Sequence, residues 1–293
     1  MATCDLKLGV VGLGALGRPM AVNLINAGFS TQLHNRSRAA ETGTDLAGAI
    51  RCASPSEAAK DVDVLLLCVS DDAAVEAVLF GANGATEGLR PGCVVLDCST
   101  ISPAQAIHCA ERLGRLGVSY LDAPVTGGTE GAKAGSLTVL VGGEASAFHQ
   151  VQPVLEVIGG TVHHFGAVGR GQQVKAVNQV LVAGSYAAVA EAMALGQRLE
   201  LPMQQVVQAL KGGAAGSWAL NHRAQGMLGG KYPLGFKLAL HHKDLGIALS
   251  CAETVQLELP ISRLVQQQEA KLMRDGHGDD DVSALHRQFS AIS

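Results

Sequence analysis

An apolar run over residues 6–11 ends in Gly12-Leu13-Gly14-Ala15-Leu16-Gly17, with helical composition directly behind it. The G-x-G-x-x-G spacing is common by itself; between a strand and a helix it dictates a tight turn whose amides face a pyrophosphate. Gly12 serves the turn, Gly14 omits the Cβ that would block phosphate, and Gly17 lets helix and strand approach closely. Ala15 and Leu16 lie inside the same turn and join the three glycines as cofactor-binding candidates.

Short β-prone runs at 6–11, 31–34, 62–69, 94–97, 120–122, 138–141 and 162–165 alternate with helical segments at 19–27, 55–60, 73–79, 103–116 and 145–158. Such alternation builds parallel βαβ units. Val64-Leu65-Leu66-Leu67 is apolar at every position, as a strand covered by helices on both faces requires. After Gly166 only helical stretches follow, at 172–198, 204–211, 217–228, 237–257 and 261–274, broken by Gly212-Gly213, Gly229-Gly230 and Leu259-Pro260. The expected fold is α/β: a Rossmann-type, doubly wound, mostly parallel sheet over 1–166, then an all-α domain over 167–293 joined to it by a long helix.

The 293 residues carry 22 Lys and Arg against 26 Asp and Glu, a net charge of −4, with no run of five like charges. The basic footprint of a nucleic-acid binder is missing, and small-molecule partners are expected instead. The first residues lack a basic-then-apolar export signal, and the longest apolar stretch, between Lys175 and Glu191, holds 15 uncharged residues, short of a membrane span. Seven cysteines without a C-x-x-C pair read as reduced thiols, so a cytoplasmic location is expected. The 171–198 stretch is apolar around more of its circumference than one domain face demands, which suits a homodimer or homotetramer.

The end of the second strand selects the cofactor, because an acid there binds the adenosine ribose whereas a basic group takes a 2′-phosphate. Asn35-Arg36-Ser37-Arg38 holds two guanidinium groups and a hydroxyl but no acid, which favours NADP(H) over NAD(H); the bland alternative is that both arginines solvate a helix start. Asp122-Ala123-Pro124-Val125-Thr126-Gly127-Gly128 closes another strand. Its glycine amides and the Thr126 hydroxyl could cradle a carboxylate, and on spacing alone a plain turn fits equally. Gly166-x-x-Gly169-x-Gly171 then precedes Lys175, with Asn178 and Gln179 on the lysine's helix face. A lysine in so apolar a helix either snorkels to solvent or lines a polar site.

These motifs, in this order and spacing, resemble the β-hydroxyacid dehydrogenase family, and the likeness runs nearly end to end. Residues 11–20 are similar to its cofactor motif, 122–128 to its substrate motif and 166–178 to its catalytic motif. Lys175-x-x-Asn178-Gln179, residues 212–217, His242-Lys243-Asp244-Leu245 and residues 275–281 resemble its tartronate semialdehyde reductase (2-hydroxy-3-oxopropionate reductase) branch. The resemblance implies that Lys175 is the acid/base and that Thr126, Gly127, Gly128, Asn178 and Gln179 hold the substrate. It further implies that Val69, Ser70, Thr100 and Lys243 line the cofactor, beside the glycine turn and Asn35, Arg36 and Ser37. The implied reaction is NADPH-dependent reduction of a small carboxylated aldehyde, tartronate semialdehyde to glycerate first. Reduction of glyoxylate or succinic semialdehyde and oxidation of 3-hydroxyisobutyrate are the near alternatives, and a non-catalytic nucleotide-binding module the remote one. Thr126 stands where the family usually has Ser, Gln179 where many relatives carry Asn, and Ser70 where Pro is common.

His163-His164, His241-His242 and His277-Gly278-Asp279-Asp280-Asp281 invite a metal, yet adjacent side chains rarely converge on one ion, so none is expected. The acidic turn at 279–281 reads as a solvated helix cap, and Trp218 as core rather than substrate contact.

Overall fold

The computed structural model describes residues 6–290, and the chain divides into two compact units after Lys175. In the first, β1 (Lys7–Val11), α1 (Gly17–Asn26), β2 (Ser30–His34) and β3 (Ile50–Arg51) are followed by α2 (Pro55–Ala58), β4 (Val64–Leu67) and α3 (Asp72–Phe80). Then come β5 (Val94–Asp97), α4 (Pro103–Gly114) and β6 (Ser119–Asp122). The six strands form one parallel sheet in the order β3-β2-β1-β4-β5-β6. Chain order reverses between β1 and β4, so the crevice beyond their carboxyl ends is the natural ligand position of such a sheet.

Every residue of β4 and β5 is buried, because side chains alternate between two apolar cores. Leu8, Val10, Leu66 and Leu96 pack on one face with Met20 and Leu24 of α1. Val11, Leu65, Leu67 and Val95 pack on the other with Val75 and Leu79 of α3 and Cys109 and Leu113 of α4. Ser54, Asp71 and Ser102 cap α2, α3 and α4 through their side chains, and Pro55 and Pro103 occupy the first helical position.

The runs at 138–141 and 162–165 do not extend this sheet. They belong to a second one, made by β7 (Val125–Thr126), β8 (Leu137–Val141) and β9 (Gly159–His164), with β7 antiparallel and β9 parallel to β8. Its helices are α5 (Gly128–Ala134), α6 (Ala145–Gln150) and α7 (Gln152–Ile158). The last two replace the continuous helix expected over 145–158: the break falls at Val151, and Pro153 in the first turn of α7 has no amide to offer His149 O, as a helix running through would require.

A 29-residue helix, α8 (Arg170–Arg198), leads into the second unit. It is followed by α9 (Met203–Leu210), α10 (Trp218–Leu228), α11 (Leu238–Thr254), α12 (Pro260–Arg274) and α13 (Arg287–Ser290). By length and composition α8 could cross a membrane, but Ala183, Tyr186, Ala190 and Met193 at helical spacing bury it in the core of this unit, with Leu220, Leu245 and Leu272. Cys4 lies outside the described residues; Cys52, Cys93, Cys98 and Cys109 are buried free thiols, and burial pushes Cys93 and Cys109 up to about 12.

The acidic turn caps a helical turn as expected and is solvated at Asp279, but not at its last residue. Asp281 is fully buried and caps the turn at 282–286. It accepts from the amides of Gly235 and Phe236 at 2.9 Å each, from Ser283 N at 3.0 Å and Oγ at 2.6 Å, and from Arg223 Nε at 3.2 Å. Asp281→Ala removes the shared acceptor of three amides, a hydroxyl and a buried guanidinium, and is expected to cost about 3–5 kcal/mol in chemical denaturation; a loss below about 1 kcal/mol would contradict the hub role given to this carboxylate.

Candidate active site

The central strands end in register: His34, Val11, Leu67, Asp97 and Asp122 form one row across β2, β1, β4, β5 and β6. Five of the predicted segments begin one to four residues beyond that row, at Asn35, Gly12, Val69, Thr100 and Thr126.

At the β1–α1 turn the three glycines have three different reasons. Gly12 has φ +98° and a Cβ there would strike the Cys68 carbonyl; a Cβ on Gly17 would strike the carbonyl of Gly12. A Cβ on Gly14 would meet nothing within 4 Å, so that position is open rather than packed. Gly14 and Ala15 are exposed, Leu16 is half-buried at the N-cap, and no side chain caps the amides of α1. Uncapped amides opening a helix beside an unfilled Cβ position fit the pyrophosphate of a dinucleotide.

Beyond β2, Asn35 accepts from Leu13 N at 2.8 Å and so ties this loop to the glycine turn. The two arginines differ. Arg38 is held by the buried carboxylate of Glu41 at 2.9 Å and by the Cys52 carbonyl. Arg36 and Ser37 are exposed, and among the described residues the Arg36 guanidinium makes no hydrogen bond or ion pair. Glu41 also takes the Asn35 amide at 2.8 Å and Arg51 at 3.3 Å, so the nearest acid is already engaged. Arg18 of α1 braces the loop by donating to Ala40 O at 2.5 Å, Thr42 O at 2.7 Å and Asp45 Oδ1 at 2.7 Å.

The loops after β4 and β5 are joined: Val69 N donates to Ser99 Oγ at 3.0 Å, and Asp72 accepts from Ser102 N at 2.9 Å and Oγ at 2.6 Å. Ser70 is exposed and donates to Asp71 Oδ2 at 2.8 Å; Thr100 is half-buried. Asp97 is buried under them, accepting from Ser99 N at 2.9 Å and the Tyr120 hydroxyl at 2.8 Å. Burial pushes its carboxyl up to about 6 against those hydrogen bonds.

After β6 the expected turn is a two-residue strand followed by a helix. Thr126 pairs with Thr138, and Gly127 (φ +129°) and Gly128 (φ +65°) open α5 in conformations that favour glycine. Lys175 is only 6% exposed and donates from Nζ to Val125 O at 2.8 Å, which sets its ammonium beside this segment. Snorkelling to solvent is thereby ruled out. Two residues without a predicted role hold the arrangement. Asp122 accepts from Gly169 N at 2.7 Å and Gln172 N at 2.9 Å; Gln172 donates to Ser99 O at 2.8 Å and accepts from Ile101 N at 3.2 Å, flanking Thr100. Burial raises the Asp122 carboxyl above its ordinary range, opposed by those amides.

In the second unit, Asn178 donates to Gln179 Oε1 at 2.7 Å, and Gln179 donates to Asp244 Oδ2 at 2.6 Å. Lys243 pairs with Asp244 at 2.9 Å. Both ends of the Gln179 amide are therefore engaged within the chain. His241 is buried against Glu269 at 2.6 Å. Trp218, expected in the core, is 42% exposed and stacks on His222 with ring centroids 4.4 Å apart. Among the described residues no group of three or more His, Cys, Asp or Glu is arranged to hold a metal ion.

Two family models divide the chain: the NAD-binding domain of 6-phosphogluconate dehydrogenase matches residues 7–166, and the NAD-binding domain of NADP-dependent 3-hydroxyisobutyrate dehydrogenase matches 169–289. The chain is 37% identical over 280 residues to 2-hydroxy-3-oxopropionate reductase of Escherichia coli, covering 96% of each protein. It is 37% identical over 288 residues to L-threonate dehydrogenase of Cupriavidus necator, covering 98% of this chain and 97% of that one. The crystal structure of 3-hydroxyisobutyrate dehydrogenase from Salmonella typhimurium superposes with a TM-score of 0.88 at 33% identity, over 97% of this chain and all of that one. The chain belongs to the β-hydroxyacid dehydrogenase family, the 3-hydroxyisobutyrate dehydrogenase-like enzymes. It is an NAD(P)-dependent oxidoreductase acting on CH–OH groups.

The glycine geometry separates packing from openness. Gly17→Ala is expected to lower stability by about 1–3 kcal/mol because the methyl meets main chain, whereas Gly14→Ala stays within about 0.5 kcal/mol. Thermal melting of the two variants without added nucleotide checks this, and equal losses would contradict it.

Proposed function

We propose that this enzyme reduces a small carboxylated aldehyde with NADPH, and that tartronate semialdehyde, giving glycerate, is its substrate. The observation that carries the reading is the buried ammonium of Lys175, held at Val125 O next to Thr126, Gly127 and Gly128. The name of the Escherichia coli relative supports the choice of aldehyde.

The nucleotide-binding domain covers 1–166 and the helical substrate and oligomerisation domain 167–293. Gly12, Gly14, Ala15, Leu16 and Gly17 would hold the pyrophosphate, Asn35, Arg36 and Ser37 the adenosine end, and Val69, Ser70, Thr100 and Lys243 the nicotinamide side. When bound, the dinucleotide supplies the hydride for reduction. The Gly127 and Gly128 amides and the Thr126 hydroxyl receive the substrate carboxylate, and Asn178 and Gln179 hold its remainder. Lys175, as the ammonium, donates to the carbonyl oxygen as negative charge develops there and leaves its proton on the alcohol; in the reverse direction the neutral amine takes that proton back.

Preference for NADP(H) follows from the contrast between the two arginines. Arg38 is consumed by Glu41, and Arg36 is free to meet a 2′-phosphate. The NADP-dependent enzyme in the name of the second family model supports this. Exposed Val177, Leu181 and Leu195 on α8 support a homodimer or homotetramer, and a net charge of −4 with free thiols suits a cytoplasmic enzyme that binds no nucleic acid.

Lys175→Ala is expected to lower kcat by about 10²–10⁴ while NADPH affinity, followed by nucleotide fluorescence, changes by less than about threefold. Full turnover would remove the mechanism. Arg36→Asp is expected to weaken NADPH about 10- to 100-fold and leave NADH binding equal or better; an unaltered ratio of the two dissociation constants would refute the preference.

A further inference from the structure

The mechanism just given needs one ammonium in one place, yet Lys175 carries a flexible four-carbon stem with about 2 kcal/mol of rotamer entropy. Where that ammonium lies therefore depends on where its helix begins. The first turn of α8 is held by one carboxylate, beside the Gln172 side chain on Ser99 O and Ile101 N. Asp122 is fully buried at the end of β6, and its two oxygens take the amides of Gly169 and Gln172 at 2.7 and 2.9 Å. A negative charge at the amino end of a helix is also favoured by the aligned peptide dipoles.

The main chain of Asp122 is itself immobilised: its amide donates to Gly142 O at 3.1 Å, and its carbonyl accepts from Gly142 N at 2.8 Å. Two glycines make room for the approach. A Cβ on Gly142 would lie 2.6 Å from Asp122 Oδ1, and one on Gly171 2.8 Å from Oδ2. Three residues beyond Asp122, Val125 O accepts the Lys175 ammonium at 2.8 Å. One strand end thus grips α8 twice, by a carboxylate at the helix start and by a carbonyl at the lysine tip.

We propose that Asp122 is a positioning residue for Lys175: its carboxylate sets the start of α8 so that the ammonium reaches the segment 125–128. This rests on the reading of Lys175 as the acid/base. Asp122 touches no reacting atom. Its effect passes through the lysine, and a displacement near 1 Å of a reacting group costs about 100-fold.

The test is a double-mutant cycle in the full-length enzyme with NADPH and tartronate semialdehyde, comparing wild type, Asp122→Asn, Lys175→Ala and the double variant at a temperature where each is folded. Asparagine keeps the shape but offers only one acceptor to two amides. Asp122→Asn is expected to lower kcat about 10- to 100-fold in the wild-type background and less than about threefold when Lys175 is already alanine. NADPH affinity, measured by fluorescence titration, should stay within about threefold. Equal losses in both backgrounds, or a kcat near wild type in folded Asp122→Asn, would overturn the proposal. If Asp122→Asn does not fold, Asp122→Ala, which adds no competing donor, takes its place under the same criteria. Full turnover by Lys175→Ala alone would instead remove the acid/base reading, and the proposal with it.

Discussion

A six-stranded parallel sheet must be covered on both faces, and that constraint organises everything else in the first unit. Helices occupy the faces, so the row His34, Val11, Leu67, Asp97 and Asp122 delivers five loops to one edge. Each loop then needs something to fix it where no ladder continues. Asn35 ties the second to the glycine turn, Ser99 and Ser102 tie the next two together, and Asp122 and Gln172 tie the last ones to α8. Rigid side-chain to main-chain bonds of this kind hold a site more closely than loop packing does.

The parts legible in the sequence were those with local causes. Val64 to Leu67 reads as a buried strand because every position is apolar, and the turn at Gly12 to Gly17 is recognisable because its glycine spacing sits directly between an apolar run and a helical one, although the Cys68 carbonyl that excludes a Cβ at Gly12 is distant in the chain and Gly14 is open. Ser102 before Pro103 announces α4 for the same reason. The second sheet is not legible in the sequence because β7 has two residues, too few for a period, and α5 reads GTEGAKA, without an apolar stripe. The motif that contains Asp122 shows no task for it in sequence, since its partners lie 47 and 50 residues away. Asp281 looked solvated beside two other aspartates, and only the fold brings Arg223 and two distant amides to it.

Cofactor choice illustrates how structure refines a residue count. Arg36 and Arg38 look equivalent on paper. A guanidinium already committed to a buried carboxylate and a carbonyl has little left to offer a phosphate, so the proposed preference narrows to Arg36. Gln179 makes a similar point in the second unit. Its amide donates to Asp244 at 2.6 Å, and through that carboxylate it is coupled to Lys243. A substrate contact by Gln179 would have to compete with that short bond to a buried acceptor.

Catalysis as proposed requires the Lys175 ammonium to meet the substrate oxygen. A crystal of the enzyme grown with NADP and soaked in glycerate reads that contact directly. The predicted density places the alcohol oxygen about 3 Å from Lys175 Nζ, with the carboxylate on the amides of Gly127 and Gly128. A glycerate bound with its hydroxyl turned away, beyond about 5 Å from that nitrogen, would contradict the mechanism.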